Sequence, residues 1–258
     1  MATQIHPTAI VSPKAHIDDN VSIGAYAIVE DDVHVGAGTQ LMYHTVLLNG
    51  SRVGKESIVF PGAVIGAEPQ DLRFHGQTTY AVVGDRTTIR ECATVNRGSH
   101  TKQTTVGDDC LIMAYSHIAH DCTIGNHVVI ANATQLGGHV EIGDWVVLGG
   151  VTKVHQFCRV GKHAMVAADA MLTKDVSPYA LLGRTPVKVE GINKIGILRR
   201  GFTLEQVDTI DSFYNTVFFS GYNMTDGINA YATANQTPND IINEIVEFIK
   251  ISKRGVYR

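Results

Sequence analysis

The chain has 258 residues, a formal net charge of −4 with histidine neutral, and 44% hydrophobic residues. That length can bury a substantial core in one or two domains, and the slight acidity excludes a general nucleic-acid binder, whose phosphate contacts need a concentrated basic surface. No stretch approaches the roughly 20 consecutive apolar residues of a transmembrane helix, and the opening MATQIHPTAIVSPK lacks the charged-then-apolar order of a signal peptide, so a cytoplasmic location is expected.

From its N-terminus the chain repeats every six residues. Aliphatics stand at Val11, Ile17, Ile23, Val29, Val35, Leu41, Leu47, Val53, Val59 and Ile65, resume at Val83, Ile89 and Val95, and run from Val106 through Ile118, Ile124 and Leu136 to Leu172. Two positions before each lies Ala, Val, Ser, Thr or Cys, and Cys110, Cys122 and Cys158 belong to that series. They read as small buried packing residues. With Cys92 they show no C-x-x-C spacing, so neither a zinc knuckle nor a disulfide framework is indicated.

A period of six matches neither a helix nor a flat strand. It fits a short strand followed by a corner. Three such hexads close a triangular coil, and neighbouring coils pair as parallel strands about 4.8 Å apart with the aliphatics stacked inward. Gly107, Gly125, Gly143 and Gly161 recur every 18 residues and read as corners that favour positive φ. The pattern resembles the hexapeptide repeat of the left-handed parallel β-helix. The hand comes from that resemblance, since most parallel crossovers are right-handed.

Two segments interrupt the repeat, residues 67–82 (AEPQDLRFHGQTTYAV) and 96–105 (NRGSHTKQTT). Loops at such interruptions carry function or fill space. Past Asp175, Pro178 ends the repeat, and GINKIGILRRGF, TLEQVDTIDSFYNTVFF, TDGINAYATA and TPNDIINEIVEFIKISKR read as helices. Thr203 with Gln206 forms a candidate capping box, and Thr237 before Pro238 suits an N-cap and first helical position. The expected organisation is a mainly β solenoid over 1–180 followed by a helical domain over 181–258 that covers the last coil.

Counting modulo 18 gathers His117, His120, His139 and His155 near one edge of the prism, none in an inward slot, with Asn96 and Arg97 one coil from His117. His127 and His163 fall on another column with Trp145 and read as surface positions. A zinc site would need three or four ligands at about 2.0–2.1 Å, and spacing fixes no third ligand beside His117 and His120. Proton transfer would pair His120 with Asp121, provided the corner turns them together, because neighbours on an extended strand point apart. Asp121 also reads as a simple turn residue.

Together, HIAHDCTIGN, GGHVEIGD, VHQFCRVG, QDLRF and LRRGF resemble the acyl-acyl carrier protein:UDP-N-acetylglucosamine O-acyltransferase family, nearly throughout the chain to Phe202. The resemblance implies a homotrimer with sites in clefts between subunits, acting in the first step of lipid A biosynthesis. The sugar 3-hydroxyl attacks the thioester of a 3-hydroxyacyl-acyl carrier protein, with no metal, cofactor or covalent enzyme intermediate. It implies His120 as general base, Asp121 as its supporting carboxylate and the Gly138 N–H as oxyanion donor. His117, His139, His155 and Gln156 would surround the sugar nucleotide and acyl chain, Asp71, Arg73 and Asn193 would contact substrate, and Arg199 and Arg200 would face phosphate. Ala168 stands at the family's ruler position, where it would admit a long acyl chain. The family pattern has histidine in place of Asn96, lysine in place of Arg73 and glutamate in place of Ile195. The alternative on the same solenoid is a zinc enzyme of the carbonic anhydrase type.

Overall fold

The computed structural model describes residues 2–183 and 185–258. Most hexads form two-residue strands such as His117–Ile118, Thr123–Ile124 and Val129–Ile130. Each pairs in parallel with the strand one coil on: Leu111 with Val129, His117 with Gln135, Thr123 with Glu141. The result is a left-handed parallel β-helix of three sheets, a first face of 11 strands, a second of 9 and a third of 8. Within each coil the chain visits them in that order; Leu111–Ile112, His117–Ile118 and Thr123–Ile124 lie on the first, second and third faces. Ile65, Ile118, Leu136 and Leu148 point into the prism and are at most 2% exposed. Cys110, Cys122 and Cys158 are buried in the small slots, and burial pushes their thiols up to about 11, about 12 and about 11.

The corners differ from the expected pattern in one respect. Left-handed backbone falls three residues after the inward aliphatic, at Asp109, Tyr115, Asp121, His127, Ala133, His139, Trp145, Val151, Phe157 and His163, with φ between 55° and 65°. None of Gly107, Gly125, Gly143 and Gly161 has positive φ. They are needed because coils meet closely there: a Cβ on Gly107 would sit 2.7 Å from the Gly125 carbonyl carbon, and one on Gly143 2.9 Å from Lys162 Cα. A left-handed L-residue costs about 1–2 kcal/mol. Bonds between successive corners, such as His139 N–H to His120 O (3.1 Å) and Trp145 N–H to Asn126 O (2.9 Å), hold the chain in it.

Beyond residue 180 the first face continues, since Ala180–Gly183 extends it and Lys188–Ile192 adds an antiparallel strand. Gly191 and Ile192 are therefore strand, and helix α1 begins only at Lys194 (Lys194–Arg199). Then come α2 (Leu204–Tyr214), a π-helical turn (Asn215–Phe219), α3 (Met224–Ala234) and α4 (Asp240–Lys250). The Thr203–Gln206 capping box is formed. For α4 the expected cap is displaced: Asn239 Oδ1 accepts from Ile241 N (3.0 Å) and Ile242 N (3.2 Å), so Asn239 rather than Thr237 is the N-cap. The tail then returns to the solenoid. Asp175 N–H donates to Gly255 O (2.9 Å), Tyr257 N–H donates to Asp175 O (3.0 Å), and Tyr257 Oη accepts from Thr173 N–H (2.8 Å). Strand and tail, as well as helices, thus cover the last coil.

Candidate active site

Both interruptions leave the second face and re-enter on the third, between Val64–Ala67 and Tyr80–Val83 and between Thr94–Asn96 and Gln103–Val106. They emerge at one edge, where the chain also turns at His120–Asp121, Gly138–His139 and His155–Gln156. Register survives the insertions, Val95 pairing with Ile118 and Thr94 with His117.

At Asp121 the left-handed backbone (φ 61°) brings the carboxylate back beside the preceding ring. His120 Nδ1 lies 2.8 Å from Asp121 Oδ2, a contact that an extended strand would forbid. The Asp121 side chain has no exposed surface. Oδ1 accepts from Ser99 N (2.9 Å), Thr101 N (2.8 Å) and Thr101 Oγ1 (2.5 Å), and Oδ2 accepts from His100 N (3.1 Å). Burial works to raise its pKa, but the hydrogen bonds from Thr101, His120 and the His100 and Thr101 amides prevail and hold it well below the carboxylate range. An ionised carboxylate only accepts. The proton of neutral His120 therefore sits on Nδ1, leaving the Nε2 lone pair available.

Gly138 lies close beside that ring: a Cβ there would lie 2.6 Å from His120 Cε1 and 2.8 Å from Nε2. Among the described residues the Gly138 N–H donates to no protein group. His139 Nε2 is 3.4 Å from Asp121 Oδ2. Its ring stacks between His100 (centroids 6.0 Å) and Phe157 (4.6 Å). Burial lowers the His139 pKa against the pull of Asp121, with His120, His100 and Arg73 lowering it further.

The first loop braces the second. Asp71 accepts from Arg73 Nε (3.1 Å) and Ser99 Oγ (3.0 Å), and meets His100 Nε2 at 3.1 Å. The Arg73 hydrogen bonds, chief among several, hold Asp71 well below its ordinary range. A chain of hydrogen bonds thus runs from Arg73 through Asp71 and the Ser99–Thr101 turn to Asp121. His117 Nδ1 shares a hydrogen bond with Thr94 Oγ1 (2.7 Å), and burial, then His120, lowers its pKa. Asn96 donates to Ala67 O and Glu68 O, while its buried Oδ1 is unpartnered. Arg254 from the tail donates to His155 Nδ1 (3.1 Å), and Gln156 is exposed.

The remaining expected residues lie elsewhere on the prism. Ala168 is exposed on the edge between the first and second faces. Asn193 is buried as the α1 cap and donates to His163 O (2.9 Å). Arg200 lies over the Trp145 ring (5.2 Å), Nη1 is 3.2 Å from His163 Nδ1, and Arg199 is exposed beside it. Both arginines line a groove of about 610 Å³ with Val147, Met165, Leu181 and Ile195. His163 itself is a correction. It is 8% exposed, stacked on Tyr179 (5.3 Å), because the C-terminal region covers its column. Burial foremost, with Arg200 and Lys162, lowers its pKa to about 4. His127 stays half-exposed, stacked on Trp145 (3.9 Å).

Sequence spacing alone did not single out Ser99, His100 or Thr101 as the cradle of Asp121. The signal was there, since the second interruption abuts the Asp121 column. Nothing in the sequence pointed to Arg254. His120, Asp121 and His139 do place ligand atoms within 4.8 Å of one another. The Asp121 oxygens, however, already accept five hydrogen bonds, against about four lone-pair positions. Loop donors and His120 thus saturate the carboxylate as it stands.

A sequence profile described as UDP N-acetylglucosamine O-acyltransferase, domain 2, matches residues 175–257, and the bacterial transferase hexapeptide profile matches residues 103–138. The acyl-[acyl-carrier-protein]–UDP-N-acetylglucosamine O-acyltransferase of Janthinobacterium sp. (strain Marseille) is 41% identical over 98% of this chain and 99% of its own length. The chain belongs to the UDP-N-acetylglucosamine O-acyltransferase family. The Xanthomonas oryzae member is 39% identical over 100% of this chain and 98% of its own. The family's crystal structure from Bacteroides fragilis superposes with a TM-score of 0.96 at 39% identity, covering 99% and 100% of the two chains. The Arabidopsis structure gives a TM-score of 0.85 at 28% identity, covering 98% of this chain and all of its own. These relatives are acyltransferases, which leaves the carbonic anhydrase alternative without support. Among the described residues no helix is long and apolar enough to cross a membrane.

Proposed function

We propose that the chain transfers a 3-hydroxyacyl group from acyl carrier protein to the 3-hydroxyl of UDP-N-acetylglucosamine, the first step of lipid A biosynthesis, in the cytoplasm. The observation that carries the mechanism is the 2.8 Å His120–Asp121 bond with Gly138 packed close to Cε1 and Nε2 of the same imidazole. His120 Nε2 takes the hydroxyl proton as the sugar oxygen bonds to the thioester carbon, and Asp121 stabilises the resulting imidazolium. The Gly138 N–H holds the oxyanion. Collapse breaks the C–S bond, and His120 returns the proton to the departing thiolate. An ester and a free thiol form without a covalent enzyme intermediate.

His117, His139, His155, Gln156, Asp71 and Arg73 share the edge of His120 and would meet the sugar nucleotide and acyl chain. Asn193, Arg199 and Arg200 belong to the edge between the third and first faces. A homotrimer with its sites between subunits brings one chain's His120 edge to the neighbour's arginines, so the separation within one chain supports that assembly. Ala168 leaves room for a long acyl chain.

The test is incubation with UDP-N-acetylglucosamine and 3-hydroxyacyl-acyl carrier proteins of graded length, beside His120→Ala. The wild type should form acylated nucleotide, fastest with long chains, and the folded variant should be slower by about 10³-fold. An inactive wild type overturns the reaction, a fully active variant overturns the base, and a preference for the shortest chain overturns the ruler.

A further inference from the structure

Near the N-terminal end of the third face, His16 and His34 are register partners on adjacent coils. Both turn Nε2 toward one atom, Asp18 Oδ1, at 3.0 Å and 3.3 Å. The rings meet edge to face with centroids 4.6 Å apart, and the three ligand atoms lie within 4.8 Å of one another. Bonds of about 2.0–2.1 Å to a tetrahedral ion separate its ligands by about 3.4 Å. The two nitrogen–oxygen spacings need open by only a few tenths of an ångström.

The surroundings favour an ion. Asp18 is tethered at both backbone ends, its N–H donating to Val35 O (3.0 Å) and its carbonyl accepting from Thr3 Oγ1 (2.9 Å). Arg52, the next residue in register after His34, is occupied: it donates to Asp32 O (2.8 Å) and lies over Tyr80 (4.7 Å). The His16, His34 and Asp18 side chains keep 71%, 44% and 27% of their exposure, so water has access to complete the coordination. Two imidazoles and one carboxylate suit zinc, nickel or copper rather than magnesium or calcium.

We propose that His16, Asp18 and His34 form a binding site for a divalent transition-metal ion of the zinc type, which fastens the first two coils together. The site is separate from the His120 edge, five strand spacings or about 24 Å along the prism. It sits where fastening matters: Ile5 and Ile10 are 49% and 66% exposed. An ion bound only by the folded chain stabilises it.

Zinc chloride is titrated by calorimetry into the chelator-stripped full-length protein, with magnesium chloride as control, and thermal unfolding is followed with and without zinc. The expected result is one zinc per chain, no magnesium uptake, and a zinc-dependent rise in the unfolding midpoint. His16→Ala and His34→Ala should each weaken binding by about tenfold or more and remove the rise, with acyl transfer unchanged. His139→Ala should bind zinc like the wild type. Absence of zinc uptake by the wild type, binding that survives both the His16 and the His34 substitution, or binding lost with His139→Ala each overturns the proposal.

Discussion

At the scale of single residues, the role proposed for His120 requires that Asp121 stay an anion, and that charge is maintained by the loops, not by solvent. Asp121→Asn would present an amide N–H₂ to donors that now meet oxygen, and it removes the charge that fixes the His120 tautomer. Turnover should fall by about 10³-fold while circular dichroism stays native. A variant within a few-fold of wild type would show that the carboxylate only shapes the corner. The two residues were legible beforehand from repeat arithmetic and family resemblance. Their contact was not, because it depends on φ 61° at Asp121, and the repeat shows where each corner falls but not which of its residues takes the left-handed backbone. Gly107 and its kin misled for the converse reason: glycine signals positive φ and close approach alike, and here only the second applies.

Elements were legible in proportion to their periodicity. The inward aliphatics gave the coils from Val11 to Leu172 but not the strand pair beyond residue 180, and the capping box gave the start of α2. The start of α4 was less distinct, since Thr237, Pro238 and Asn239 offer competing N-terminal signals and only geometry shows Asn239 Oδ1 on the two free amides. Asn239→Ala should cost about 1 kcal/mol in chemical denaturation and Thr237→Ala close to nothing; equal costs would return the cap to Thr237. The column of His127, Trp145, His163 and Tyr179 is an element of its own, bound to the C-terminal region through Arg200. His163 falls from an ordinary 6.5 to about 4 on folding. Between those values the unfolded chain holds a proton that the folded chain does not, so stability rises with pH through that window. Its contribution is complete above about pH 6.5 and is lost as pH falls toward 4. Melting temperatures across this range should fall less steeply for His163→Phe than for the wild type; parallel profiles would assign the slope to other groups.

For the molecule as a whole, sequence delivered the solenoid and the residues on it, but not which edge α1 would join. Arg199 and Arg200 carry no repeat phase, so only the fold places them an edge away from His120. If the trimer unites the two edges, co-expressed His120→Ala and Arg200→Ala chains should form mixed trimers more active than either variant alone. No recovery, with mixing shown by mass, would mean that each chain works by itself. The corner geometry has a wider consequence. The prism behaves as a rotary index: each hexad advances the chain a third of a circuit, and three return it to the same bearing. Whole-coil duplications lengthen the barrel and leave each side chain facing as before. A slip of one hexad between Asp121 and Gly138 would keep the core pattern and the fold, yet swing the proposed oxyanion donor to another bearing. Along the uninterrupted repeat, length changes therefore keep the core pattern in steps of six and every bearing in steps of 18, whereas a loop that leaves and re-enters at one corner, as residues 96–105 do, is exempt because register resumes beyond it.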